Sequence, residues 1–136
     1  MAAGGMGGAL QATLKYVTQR KQFGKEISNY QLVQEKLAMM QANTMSGLAY
    51  STQLARMQES GQYSEIATSM AKMFNALRLR ETVAMGRGIC GGNGITVDYD
   101  IARFFCDAEA IYTYEGTHEI NALVIGRALT GKQAFI

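Results

Sequence analysis

Proline is absent from the 136 residues, tryptophan is absent, histidine occurs once and cysteine twice. Each shortage excludes something. Without proline, nothing forces a kink into a helix interior, which suits long unbroken helices. Cys90 and Cys106 form no C-x-x-C and have only His118 as a histidine partner, too few ligands for a zinc site. Reduced thiols in a cytosol-like compartment are the plain reading. Charged residues make up 18%, below the usual quarter or so, and 13 basic against 11 acidic residues leave +2. The basic residues are scattered and the pI is near 8.6, too weak for a nucleic-acid footprint. No apolar run approaches the roughly 18 residues of a membrane span.

What is present points to helices. Apolar residues are 48% of the chain, enough for a real core in one domain of this length. Glycine is frequent, 15 residues, and clustered, which marks joints or close backbone approaches. The opening Met1–Leu10 reads by composition as a flexible end or the ragged start of a helix over Gln11–Gln22. Small residues there would let helices pack closely. It lacks the basic start of a signal peptide. Phe23-Gly24 is expected to stop that helix, and Ser28-Asn29 to cap the next. Val33, Leu37, Met40, Thr44, Leu48 and Ala55 follow at helical spacing, to a break at Ser60-Gly61. Ser64 reads as another cap, before a stripe of Ile66, Met70, Met73, Leu77 and Ala84. Gly91-Gly92-Asn93-Gly94 closes it. Asp98 is expected to cap a short helix holding Ile101, Phe104 and Phe105, and 108–116 to cross a surface without clear period. Thr117 caps a last helix ending at Thr130-Gly131. Short connections between long helices predict an all-α, up-down four-helix-type bundle with short extra helices, as one domain over 1–136.

Three segments could carry chemistry. Tyr114-Glu115-Gly116-Thr117-His118-Glu119 places a carboxylate on a turn before a helix N-terminus. Glu115 is either a solvated residue of a capping turn or, desolvated by an apolar ligand, a base working near neutrality. Gly88-Ile89-Cys90-Gly91-Gly92-Asn93-Gly94 is either a helix stop with a tight turn or a cradle for a phosphate. It is neither a Walker A nor a dinucleotide fingerprint. Arg20-Lys21-Gln22-Phe23-Gly24 is either an ordinary basic helix end or an anion contact, with Phe23 stacking on a planar ring. The methionines read as core filling, and His118 as a polar surface group.

Taken in order, Arg20-x-x-Phe23-Gly24, Gln31, Gly91-Gly92-Asn93-Gly94 and Tyr114-Glu115-Gly116-Thr117 resemble the C-terminal domain of the acyl-CoA dehydrogenase family. The likeness covers nearly the whole chain. With Gly126-Arg127-Ala128-Leu129-Thr130-Gly131-Lys132-Gln133-Ala134-Phe135, it leans to the glutaryl-CoA dehydrogenase branch. The resemblance implies FAD as cofactor, an acyl-CoA substrate, and Glu115 as the base that takes the α-proton while a hydride leaves for flavin. It implies Gly116 against the substrate, and Thr117 and Glu119 against FAD. It assigns Arg20, Gln22, Phe23 and Gln31 to the FAD of a neighbouring subunit, and Gly88, Ile89, Cys90, Gly91 and Gly92 to its adenosine-diphosphate half. Phe135 matches a late position near FAD. Gly88 stands where many relatives carry Gln. A homotetramer, electron-transfer flavoprotein as electron acceptor, and a cytoplasmic or mitochondrial-matrix setting follow from the same likeness. The family's N-terminal helical and middle β domains have no counterpart in these residues. The expectation is therefore an excised domain that holds FAD poorly and turns over little. Two rivals stand beside this reading: a non-catalytic helical interaction or oligomerisation module, and a related flavin enzyme such as an acyl-CoA oxidase or a decarboxylating member.

Overall fold

The computed structural model describes residues 1–133. Five α-helices follow one another: α1 (Ala2–Val17), α2 (Gln31–Glu59), α3 (Glu65–Cys90), α4 (Ile101–Thr113) and α5 (His118–Thr130). A two-stranded antiparallel hairpin, β1 (Lys21–Gln22) with β2 (Lys25–Glu26), and 3-10 turns at Ile27–Asn29 and Gly91–Ile95 are the other elements among the described residues. The all-α bundle expected from the sequence is present. Helix α3 is its axis, packing against α1, α2, α4 and α5.

The glycine-rich opening is helical, not a flexible end. Met6, Ala9, Leu10, Thr13 and Val17 recur at three- and four-residue steps and are buried. The interspersed glycines permit close contact, since a Cβ on Gly8 would overlap the Phe104 ring of α4. Helical glycine costs about 1 kcal/mol against alanine, a cost that tertiary packing offsets here. The first helix stops at Val17, seven residues before Gly24. Phe23 (φ 51°) and Gly24 (φ 82°) instead form the left-handed pair between Gln22 and Lys25. Two consecutive positive φ values suit the twist of a two-residue hairpin.

Tyr30, in extended conformation, precedes α2 in place of the expected Ser28-Asn29 cap. The Asn29 side chain instead donates to the Glu26 carbonyl, and Gln34 to that of Ser28. Ser64 caps α3 as expected, its hydroxyl accepting from the Ala67 N–H. The apolar stripe expected on α3 is on the wrong side: Ile66, Met70, Leu77 and Ala84 are exposed. The face at the axis is Ser69, Ala71, Asn75, Ala76, Leu79, Thr82, Val83, Gly86 and Cys90. A helix packed against four others needs small side chains there, and hydropathy alone points elsewhere. On α2, Met40, Asn43 and Gly47 are buried while Leu48 and Ala55 are exposed. Asn43 donates to Glu81 and Thr82 of α3, which satisfies its buried amide. Helix α4 runs on to Thr113 rather than ending early, because Ala108 is fully buried in the core. Asp100, not Asp98, precedes it and pairs with Arg103 at 3.2 Å.

Candidate functional site

The turn from α4 to α5 holds the predicted carboxylate. Glu115 (φ 57°) and Gly116 (φ 80°) are both left-handed. For a residue with a Cβ that conformation costs about 1–2 kcal/mol and persists only where neighbours impose it. The neighbours are specific. Lys72 reaches across from α3, its Nζ donating to the Tyr112 carbonyl at 2.9 Å and the Gly116 carbonyl at 2.6 Å. Asn121 Nδ2 donates to the carbonyls of Gly116 and Thr117, both at 2.9 Å. Thr117 accepts the Ile120 N–H, the cap read from the sequence. A Cβ on Gly116 would lie 3.1 Å from Asn121 Nδ2, so glycine suits both the angle and the space.

The charges at this turn act on one another. Burial pushes the Lys72 ammonium below the ordinary lysine range, while Glu119 and then Glu115 oppose that shift. The Glu119 carboxyl is held below the ordinary carboxylate range by its own backbone N–H, then by the Thr117 hydroxyl, with His118 and Lys72 adding to the effect. His118 is not a free surface group. Its ring stacks on Tyr112 at 5.3 Å, and Nδ1 is buried without a hydrogen-bond partner among the described residues. The Arg80 guanidinium lies over the Tyr112 ring at 4.2 Å. Glu115 itself is exposed, so its desolvation as a base would have to come from a bound ligand.

A second cluster lies at the far end of α3. Tyr16, Arg20, Gln22 and Ile27 face Ile89, Cys90, Gly91, Gly92 and Asn93 across a cleft of about 360 Å³. The structure thus brings together two of the predicted segments. Asn93 Nδ2 donates to the Tyr16 hydroxyl at 3.0 Å, tying the glycine turn to α1. Gly91 and Gly92 face open space where a side chain would stand, so the backbone is uncovered. A guanidinium, a side-chain amide and bare backbone suit a diphosphate, which is the chemistry the FAD assignment requires. Gly88 is exposed on α3 and its carbonyl accepts the Gly91 N–H; it does not line the cleft. Phe23 stands 94% exposed at the hairpin tip. Gln31 opens α2, exposed and outside the cleft. Phe135 lies outside the described residues.

The turn and the cleft do not form one crevice. Lys72 marks one and Cys90 the other, and 18 residues of helix at about 1.5 Å each put them roughly 27 Å apart. Sequence reasoning missed Lys72 and Asn121. The available signal for Lys72 was a cation within the apolar run Ala71-Lys72-Met73-Phe74.

Among known proteins, the model of the acyl-CoA dehydrogenase C-terminal domain matches residues 1–130. This chain belongs to the acyl-CoA dehydrogenase family. A glutaryl-CoA dehydrogenase of Mycobacterium smegmatis superposes with a TM-score of 0.94 at 35% identity, over 99% of this chain and 35% of that one. A glutaryl-CoA dehydrogenase of the same organism in complex with FADH2 gives 0.93 at 37% identity, with the same coverage. The (2S)-methylsuccinyl-CoA dehydrogenase of Cereibacter sphaeroides is 36% identical over 121 residues, 89% of this chain and 22% of that protein. An acryloyl-CoA reductase (NADH) of Anaerotignum propionicum is 34% identical over 120 residues, 88% of this chain and 30% of that protein. The chain spans about a fifth to a third of the length of these relatives. No described helix is long and apolar enough to cross a membrane. Among the described residues, no group of three or more His, Cys, Asp or Glu is placed to hold a metal ion.

Proposed function

We propose that this domain supplies the catalytic base and part of the FAD site of an acyl-CoA dehydrogenase, with Glu115 as the base. The observation that carries the reading is the clamped turn: a strained, left-handed glutamate is fixed from two helices while its carboxylate stays uncovered. Strain of this kind is retained where a side chain must be presented to a partner. Glu115 accepts the proton from the carbon beside the thioester carbonyl. The electrons of that C–H bond become the new double bond as a hydride leaves the adjacent carbon. FAD, when bound, supplies the acceptor for that hydride. Gly116 lies against the acyl chain, and Thr117 and Glu119 against the flavin. Thr117 and Glu119 open α5, the positive end of its dipole. An exposed carboxylate is a poor base for so weak an acid. Desolvation of Glu115 therefore comes from substrate and from surfaces beyond this chain.

Arg20, Gln22, Phe23 and Gln31 meet the FAD of a neighbouring subunit, and Gly88, Ile89, Cys90, Gly91 and Gly92 hold its adenosine-diphosphate half, with Arg20 and Gln22 sharing a cleft with Ile89 to Gly92. The roughly 27 Å between cleft and base supports assigning them to different subunits, as a homotetramer allows. A glutaryl-type substrate, with or without decarboxylation, is the branch favoured by the closing residues and by the two Mycobacterium smegmatis neighbours. Its second carboxylate needs a cation from outside this chain. Electron-transfer flavoprotein is the acceptor, in the cytoplasm or the mitochondrial matrix.

The test is Glu115→Gln in a holoenzyme carrying this domain. Turnover falls by a factor of about 10²–10⁴ or more with the flavin spectrum unchanged; retained turnover refutes the assignment. Comparing glutaryl-CoA with straight-chain acyl-CoAs decides the branch. A second reading, a helical association module without catalysis, is favoured by Leu32, Met45 and Leu48, all more than half exposed on α2. Flavin absorbance after mixing the chain with FAD separates the two.

A further inference from the structure

We propose that Lys72 is the positioning residue for Glu115, its ammonium bridging the end of α4 and the left-handed turn so that the carboxylate is presented in one orientation. The inference rests on the reading of Glu115 as base. Lys72 belongs to α3, more than forty positions before the turn in sequence, and is half-buried. Its 2.9 Å bond to the Tyr112 carbonyl uses one of the α4 acceptors that no helical N–H reaches. A cation there also meets the negative end of the α4 dipole. Helix capping accounts for that bond alone. The shorter bond, 2.6 Å to the Gly116 carbonyl, lies past the helix and directly after Glu115. Asn121 takes the same oxygen from the α5 side at 2.9 Å, so both of its lone pairs are engaged. With that carbonyl held from two sides, the peptide between Gly116 and Thr117 is fixed, and with the Tyr112 carbonyl on the same ammonium the segment carrying Glu115 is pinned at both ends. This is what a positive φ at a residue with a Cβ requires.

The residue type fits the task. An ammonium is a compact point charge that can donate to two converging carbonyls. A guanidinium is a planar fork that matches a carboxylate better. The charge also matters, because hydrogen bonds from an ionised donor are the strong ones. Glu115 from the turn and Glu119 from α5 face the ammonium, with His118 beside Glu119 and Tyr112 supplying a carbonyl from α4. Burial works the other way and brings loss of the proton below the ordinary lysine range. The hold on the turn therefore weakens as the medium becomes alkaline.

The experiment uses the 136-residue chain, followed by backbone and side-chain NMR, with Lys72→Met and Lys72→Arg variants and helicity checked by circular dichroism. In the parent chain, the Glu115 and Gly116 signals move together with the Lys72 Nζ titration at alkaline pH. In Lys72→Met, the Glu115 Cα and Cβ shifts leave left-handed values, the shared titration vanishes and helicity is retained. In Lys72→Arg, the turn is restored in part. Turn signals that are unchanged in a helical Lys72→Met chain overturn the proposal, as does a parent turn that ignores the Lys72 titration. In a flavin-loaded holoenzyme carrying this domain, Lys72→Met lowers kcat by about tenfold or more, with KM within about threefold and flavin retained. An unchanged kcat overturns the positioning role. If Glu115→Gln retains turnover, the base reading fails by itself, and the NMR result still decides whether Lys72 sets the turn.

Discussion

Three neighbouring glycines in the turn after α3 make different demands, and alanine at each tests the geometry. A Cβ on Gly94 would overlap the Arg87 carbonyl oxygen and stand 3.1 Å from the Arg87 carbonyl carbon and Cα. These are backbone atoms in the last turns of α3, so no rotamer change relieves the overlap. Overpacking a rigid site costs about 1–3 kcal/mol, and the upper half of that range applies to a backbone clash. At about 3–5 °C per kcal/mol for a domain of this length, Gly94→Ala lowers Tm by roughly 6–15 °C. Gly91 has φ 59° with ψ −134° and open space, so alanine meets backbone strain alone, about 1–3 kcal/mol and roughly 3–15 °C. Gly92 has neither constraint, and Gly92→Ala stays within about 0.5 kcal/mol. The assay is thermal and urea unfolding followed at 222 nm without flavin, since a ligand bound only to the folded state would raise every Tm. A Gly94→Ala variant within about 0.5 kcal/mol of the parent refutes the packing of this turn. So does a Gly92→Ala variant as unstable as Gly94→Ala.

Arg20→Ala weakens retention of FAD while helicity is unchanged, measured by flavin absorbance after gel filtration of a holoenzyme carrying this domain; equal retention removes Arg20 from the diphosphate site. Thr117→Ala loses the α5 cap and about 1 kcal/mol, measured by urea unfolding. Cys106 is exposed and reacts promptly with a thiol reagent at pH 8. Cys90 is buried, its thiol pushed up to about 11, so about one molecule in a thousand is thiolate there and labelling waits for unfolding. The folded state binds that proton more tightly than the unfolded chain, so stability falls as pH rises from the ordinary thiol range toward 11.

Local signals were legible in the sequence where one residue acts on its own neighbourhood. Ser64 and Thr117 sit at helix starts because a hydroxyl two or three residues from an unpaired N–H is a local arrangement. Gly131 ends α5 with φ 66° for an equally local reason. Faces were less legible. Ile66, Met70 and Leu77 have the right spacing and hydropathy for a core, yet the axis of α3 is Ala71, Asn75, Ala76 and Leu79. Which face turns inward depends on how many helices surround it, and that is a property of the assembled bundle. Phe23-Gly24 fits a helix stop and a hairpin equally, because glycine permits both, and only the pairing of Gln22 with Lys25 decides between them.

The functional turn shows the same division. The run Tyr114 to Glu119 announces a carboxylate on a capping turn, since all its parts are adjacent in sequence. The clamp does not announce itself, because Lys72 lies 44 positions from Gly116 and periodicity places it only on a helix. A lysine next to Ala71 and Met73 costs free energy to bury unless acceptors meet it. Two carbonyls do, one from α4 and one from the turn itself. The half-buried place of that cation is therefore informative, since the Tyr112 carbonyl alone would ask only for a helix cap. One ammonium on the Tyr112 and Gly116 carbonyls pins the segment on both sides of Glu115. The strain at φ 57° and the half-buried cation are thus parts of one arrangement: the carbonyls that satisfy the ammonium are the ones that bracket the strained residue.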